Sequence, residues 1–177
     1  MNFRRLIFPL TLASLTAGLP ALLARADSVP ADANRDREAT QKTIKDIRAV
    51  GTAMWVWYKD EVAPKRSGEA HKKAEEAAKS ESADLAAVPV ISREELTRLL
   101  VPRYIAAIPE KDGWGHPYEF HLVTNDPNAV NVMGLRSAGR DGRFSGDVYR
   151  IGAFSPNDFD EDIPWMDGYF VRWPEAK

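Results

Sequence analysis

The run from Thr40 to Lys59 constrains this chain most, because its apolar positions recur at intervals of three and four. Ile44, Ile47, Gly51, Met54, Trp55 and Tyr58 fall on one side of a helix. A helix with such a stripe needs a surface to cover it, so the rest of the chain must supply one. Gly51 sits mid-stripe, where glycine costs about 1 kcal/mol relative to alanine. Its presence predicts close approach by another backbone. Trp55 and Tyr58 are expected to cap the core, with Trp57 pointing elsewhere.

The chain beyond this helix is expected to provide the covering surface. Residues 61–91 are rich in Lys, Glu, Ala and Ser and read as a solvated insertion with transient helix, His71 exposed within it. Ser92-Arg93-Glu94-Glu95 has the form of a capping box, starting a short helix with Leu96, Leu99 and Leu100 inward and Pro102 as its stop. Tyr104, Ile105 and Ile108 read as core. The glycine-rich turn Asp112-Gly113-Trp114-Gly115-His116-Pro117-Tyr118 is expected to fold back on the main helix. Tyr118, Phe120 and Leu122 alternate with Glu119 and His121, the pattern of a half-buried strand. Asn125-Asp126-Pro127-Asn128 supplies a turn and Ala129 to Leu135 a second strand, which together predict an antiparallel hairpin. Gly168 to Trp173 reads as a last strand, with Tyr169, Val171 and Trp173 on one face. The predicted class is α+β.

The N-terminus carries a different signal. Met1-Asn2-Phe3-Arg4-Arg5 is basic, Leu6 to Leu23 is apolar or small, and Ala24-Arg25-Ala26 fits a cleavage site before Asp27. The expectation is an exported protein, periplasmic or secreted, with a signal at 1–26, a polar linker at 27–39 and one domain at 40–177. An uncleaved, membrane-anchored form facing the periplasm is the competing reading, against which stand Pro9 and Pro20. Removing Arg4, Arg5 and Arg25 from 24 basic residues leaves 21 against 26 acidic ones, a formal charge of −5. That disfavours nucleic acid as a partner. The absence of cysteine excludes disulfides, thiolate zinc sites and cysteine nucleophiles.

Chemistry concentrates between Ser137 and Trp165. Ser137-Ala138-Gly139-Arg140-Asp141-Gly142 precedes the acidic run Asn157-Asp158-Phe159-Asp160-Glu161-Asp162. Oxygen donors and glycines in a long loop suit a hard cation such as Ca²⁺. Asp158-x-Asp160-x-Asp162 imitates the first ligands of an EF-hand, but Ile163 stands at its glycine position and Tyr169 at its bidentate glutamate position. His116 and His121 are an odd number of residues apart, which argues against a shared metal in regular strand. Asp141 with Glu161 could serve as the acid and base of a carboxylate-dependent hydrolase. A plain solvated acidic loop is the simplest alternative, opposed by the interleaved Phe154, Phe159, Ile163 and Trp165, which would seek burial.

The order of these motifs resembles the C-terminal domain of the type II secretion major pseudopilin, G-type. It runs from the main helix and capped short helix through Asp112-x-Trp114-Gly115-x-Pro117-Tyr118 and Ser137-Ala138-Gly139-x-Asp141-Gly142 to Asp160-x-Asp162-Ile163 and Trp165. The resemblance implies a pilin-like α+β fold, a long N-terminal helix on a small antiparallel sheet, without enzymatic activity. It implies Ca²⁺ held by Asp141, Asp160 and Asp162 and by a backbone carbonyl near Ala138, with Asp158 as a further candidate. The partners it implies are other proteins, among them secretion-system components. The chain departs from that family in its ordinary signal, in the 61–91 insertion and in a longer loop before Asp160.

Overall fold

The computed structural model describes residues 31–176; the expected signal at 1–26 and the first part of the expected linker lie outside them. Helix α1 (Ala31–Glu61) leads. It is followed by α2 (Gly68–Ala77), β1 (Ser82–Asp84), β2 (Val90–Ile91), α3 (Arg93–Leu100), β3 (Glu119–Leu122) and β4 (Met133–Ser137). Then come β5 (Val148–Arg150), β6 (Gly152–Phe154), β7 (Ile163–Met166), β8 (Tyr169–Phe170) and β9 (Arg172–Pro174). The main sheet is antiparallel in the order β2-β3-β4-β7-β8, flanked by an antiparallel β1-β5 pair and a parallel β6-β9 pair. The class is α+β, a long helix followed by antiparallel sheets.

Pleating divides the main sheet into two faces. Met133, Leu135, Ile163 and Trp165 join Ile47, Met54 and Tyr58 of α1 in the larger core. On the other face Leu85 and Val88 gather with Tyr149, Met166 and Val171 in a second core. Both faces are thus covered, which is why every residue of β4 and β7 is buried. His121, expected on an outer face, is instead 3% exposed, with Nδ1 at 2.7 Å from the Val88 carbonyl oxygen.

The 61–91 segment is exposed over much of its length but is anchored to the fold at several points. Ala70, Ala83, Leu85, Val88 and Ile91 are buried, and β1 pairs with β5 across a long stretch of chain. Its few apolar residues suffice because they close the second face of a sheet that already exists. The linker reading of 27–39 also changes, since α1 begins at Ala31. Polarity there matches partners elsewhere: Asp36 accepts from the Trp114 indole nitrogen at 3.1 Å, and Ala39 is buried.

Trp57 lies in the core at 7% exposure, contrary to expectation. Helix α1 packs against α3 as well as β4 and β7, so it buries more than one stripe, and Val50, Ala53 and Trp57 join the stripe read from the sequence. Gly51 does mark a close approach, but by a side chain. A β-carbon there would stand 2.7 Å from the Trp165 indole.

The local signals fare better. Ser92 and Glu95 form the capping box reciprocally, and β3 and β4 form the antiparallel hairpin. The Asp112 turn docks on α1 through the Gly113 amide, which donates to Thr43 Oγ1 at 2.9 Å. The last expected strand is broken into β8 and β9, with Val171 buried between them while Tyr169 and Trp173 are partly exposed.

Candidate functional site

The strand register places the site. Ser137 at the end of β4 pairs with Ile163 at the start of β7, so residues 138–141 and 158–162 leave the sheet side by side. Gly139 has φ +65°, and a β-carbon on it would stand 2.7 Å from the Glu161 carbonyl oxygen and 2.8 Å from that of Phe159. Glycine is needed here for both handedness and space. The Arg140 amide donates to the Phe159 carbonyl at 2.8 Å and closes the two strands of the loop together.

Beneath this closure Asp112 organises the neighbouring turn. Its Oδ1 accepts from the amides of Trp114 and His116, and its Oδ2 from Ser137 Oγ at 2.6 Å. His116 then reaches the Arg140 carbonyl with Nε2 at 3.1 Å and lies against Gly142, at φ +69°. No strand holds His116, and His121 points into the second core, so the two histidines serve separate structures.

Of Asp141, Asp158, Asp160 and Asp162, the first three are exposed, one of them forked by an arginine, and the fourth is buried. Asp141 is exposed and accepts from the Arg143 amide at 2.9 Å. Asp158 is exposed. Asp160 is forked by the Arg140 guanidinium, whose hydrogen bonds hold its carboxyl below the usual range. Asp162 is 2% exposed; its Oδ2 accepts from Ser145 N, Ser145 Oγ and the Tyr149 hydroxyl at 2.8–2.9 Å. Its Oδ1 is buried and has no hydrogen-bond partner among the described residues. Ala138 is buried at the start of the loop, directly after the Ser137–Ile163 pair.

Residues 143–157 are more ordered than a bare loop, because β5 and β6 lie within them. Arg136 ties this excursion to the sheet: it is 5% exposed, bonds Glu119 Oε1 and Asp147 Oδ1, and donates Nη1 to Gly146 O and the Tyr149 hydroxyl. Tyr149 passes the connection on to Asp162. Arg136, Arg140, Ser145 and Tyr149 are the residues that the sequence reading missed. Nothing local in the sequence assigns any of them a partner.

As donors for a hard cation, the residues fit at one end and are committed at the other. The free buried oxygen of Asp162 and the adjacent loop carbonyls are all-oxygen ligands of the kind calcium takes. Asp160 can join only by exchanging its arginine. Among the described residues, no group of three or more His, Asp or Glu side chains stands together as a metal site. Glu161 is bound by Arg172 at 2.8 Å, and neither it nor Asp141 lines the cavities beside α1.

Comparison of the chain with protein-family models, curated proteins and solved structures gives no match. No helix among the described residues is long and apolar enough to cross a membrane.

Proposed function

We propose that this chain is a non-catalytic, exported, pseudopilin-like domain, stabilised by Ca²⁺ in the β4–β7 loop and acting through contacts with other proteins, secretion-system components among them. The supporting observation is the buried Oδ1 of Asp162, unpartnered among the described residues, at the foot of a loop whose ends are held in register. A buried carboxylate oxygen without a donor is expensive, and a cation offsets that cost. Asp162 and the carbonyl near Ala138 would hold the ion, with Asp160 and Asp141 moving in from the surface. The ion would supply charge neutralisation that fastens the loop to the sheet, and no chemical step. A long first helix on an antiparallel sheet, ending in such a loop, is the arrangement that the motif order leads one to expect.

The test is thermal melting of the purified exported protein in EDTA and in millimolar Ca²⁺. An ion bound only by the native state at a hundred times its Kd stabilises by about 2.7 kcal/mol. For a chain of this size that is a rise of about 5–10 °C. An unchanged melting temperature would remove the calcium assignment.

A further inference from the structure

Helix α2 roofs a cavity of about 580 Å³, within the size range of small-molecule sites. The roof is its alanine face, Ala74 and Ala77, and the floor is aromatic, with Trp55 and Tyr58 stacked at 5.6 Å between ring centroids. At the mouth, Val130 and Tyr169 are among the exposed large apolar side chains of the fold, at 37% and 38%.

The charges around this space are unequal. Asp167, Glu75 and Asp84 line it against the Arg66 guanidinium and the His71 imidazole, and Lys59 Nζ lies 5.6 Å from the centroid of the Trp55 ring. Arg66 is also committed to the wall: Nη1 donates to the Tyr58 hydroxyl at 2.7 Å, Nη2 to the Ala70 carbonyl at 3.0 Å, and Nε is closed off from solvent. Asp167 uses Oδ1 for the amides of Val132 and Met133, and Oδ2 takes no partner among the described residues. Glu75 and Asp84 are exposed, and neither makes an ion pair among those residues. An aromatic floor under an excess of carboxylates attracts organic cations through the ring quadrupole and through Coulomb attraction together.

We infer that the cavity beneath α2 binds a small organic cation, its ammonium group among Asp167, Glu75 and Asp84 and its apolar body against Trp55, Tyr169 and Val130. The site shares no residue with the β4–β7 loop, so it stands or falls separately from the calcium reading.

Calorimetric titration of the exported protein in EDTA, near neutral pH, with phenylbutylammonium, phenylbutyrate and phenylbutanol tests it. The ammonium compound is expected to bind saturably and about tenfold tighter than the carboxylate, from the net attraction of the lining charges. Neutralising the rim with Glu75→Gln and Asp84→Asn together should weaken it about fivefold, as exposed charges do, and leave the melting temperature unchanged. Ala74→Trp should fill the space and abolish binding. The inference is overturned if no saturation is seen up to about 10 mM, well beyond a millimolar Kd, if phenylbutyrate binds as well, or if the rim double variant binds unchanged. Should Ala74→Trp not fold, the rim variant decides the matter alone.

Discussion

Arg140 grips Asp160 with both arms of its guanidinium, Nε to Oδ1 and Nη2 to Oδ2, each at 2.8 Å. Its third nitrogen reaches Asp36 of α1 at 3.2 Å, and its main chain is bonded to Phe159 and His116. One arginine therefore joins the start of the long helix to both sides of the β4–β7 loop. It also holds the carboxylate that a cation in that loop would want.

Replacing this residue, as in Arg140→Ala, should lower the melting temperature in EDTA and raise calcium affinity several-fold, because Asp160 is freed for the ion. The paired measurements are a melt without metal and a calcium titration. The hydrogen bond from Arg140 lowers the Asp160 pKa. The stability from this pair is therefore present above the ordinary aspartate value and lost as pH falls through the lowered one. The wild type should lose that increment on acidification, whereas the variant has none to lose. Equal calcium affinity in the two proteins would show that Asp160 is not a ligand.

What could be read from the sequence was what depends on near neighbours. The Ser92–Glu95 box and the β3–β4 hairpin are settled within a few residues, and the stripe from Ile47 to Tyr58 needs only helical spacing. Misread features depend on distant partners. Helix α1 extends back to Ala31 among residues that meet Trp114 and Arg140, 78 and 104 positions beyond Asp36. Strands β1, β5, β6 and β9 are three residues each, too short for alternation to reveal them. In the site, the spacing of the acids picked out Asp162, which is buried. It could not say that Asp160 would face an arginine while Asp141 and Asp158 faced water.

Gly51→Ala tests the contact between α1 and Trp165. The added methyl would stand 2.7–2.9 Å from three atoms of a ring that is 5% exposed, so the ring or the helix must move. Overpacking costs about 1–3 kcal/mol, against a helix-propensity gain of about 1 kcal/mol. A net loss is expected in urea unfolding. Trp165→Leu costs stability by itself, but the two changes together should cost less than their sum. Strict additivity would place the source of the loss elsewhere.

Asp167 lies in the β7–β8 turn at φ +46°, and burial raises its pKa from 3.8 to about 6. A raised carboxyl works against the ionised native state. Its contribution is most favourable below the ordinary value, declines as pH rises through the interval up to 6, and stays unfavourable above it. Asn keeps an acceptor for the amides of Val132 and Met133 and tolerates the left-handed backbone. Asp167→Asn should therefore stabilise the protein at neutral pH by about 1–3 kcal/mol and flatten the pH dependence in that interval. Melting curves across the interval that keep the wild-type slope would contradict this.

The hydrogen-bonded chain Glu119–Arg136–Tyr149–Asp162, buried from Arg136 onward, supports the loop from below, and its members should not be equal. Arg136 serves two carboxylates, a carbonyl and a phenol. Arg136→Met would strand Glu119 and Asp147 without their cation and leave Gly146 O and the Tyr149 hydroxyl without its hydrogen bonds. Glu119 and Asp147 keep 29% and 55% side-chain exposure, so water makes up part of the loss and the cost falls below the about 3–5 kcal/mol of a fully buried pair, though four contacts are lost at once. Tyr149→Phe removes one hydroxyl that joins Arg136 to Asp162, and losses of that kind run at about 1–3 kcal/mol. Asp162 would still be held by Ser145 through two hydrogen bonds. In denaturant unfolding the arginine variant should therefore be the weaker of the two, and both should lower the midpoint without changing the slope. If Tyr149→Phe proved as damaging as Arg136→Met, the support would pass chiefly through the phenol and Asp162, and the salt-bridged end beside Glu119 would be dispensable.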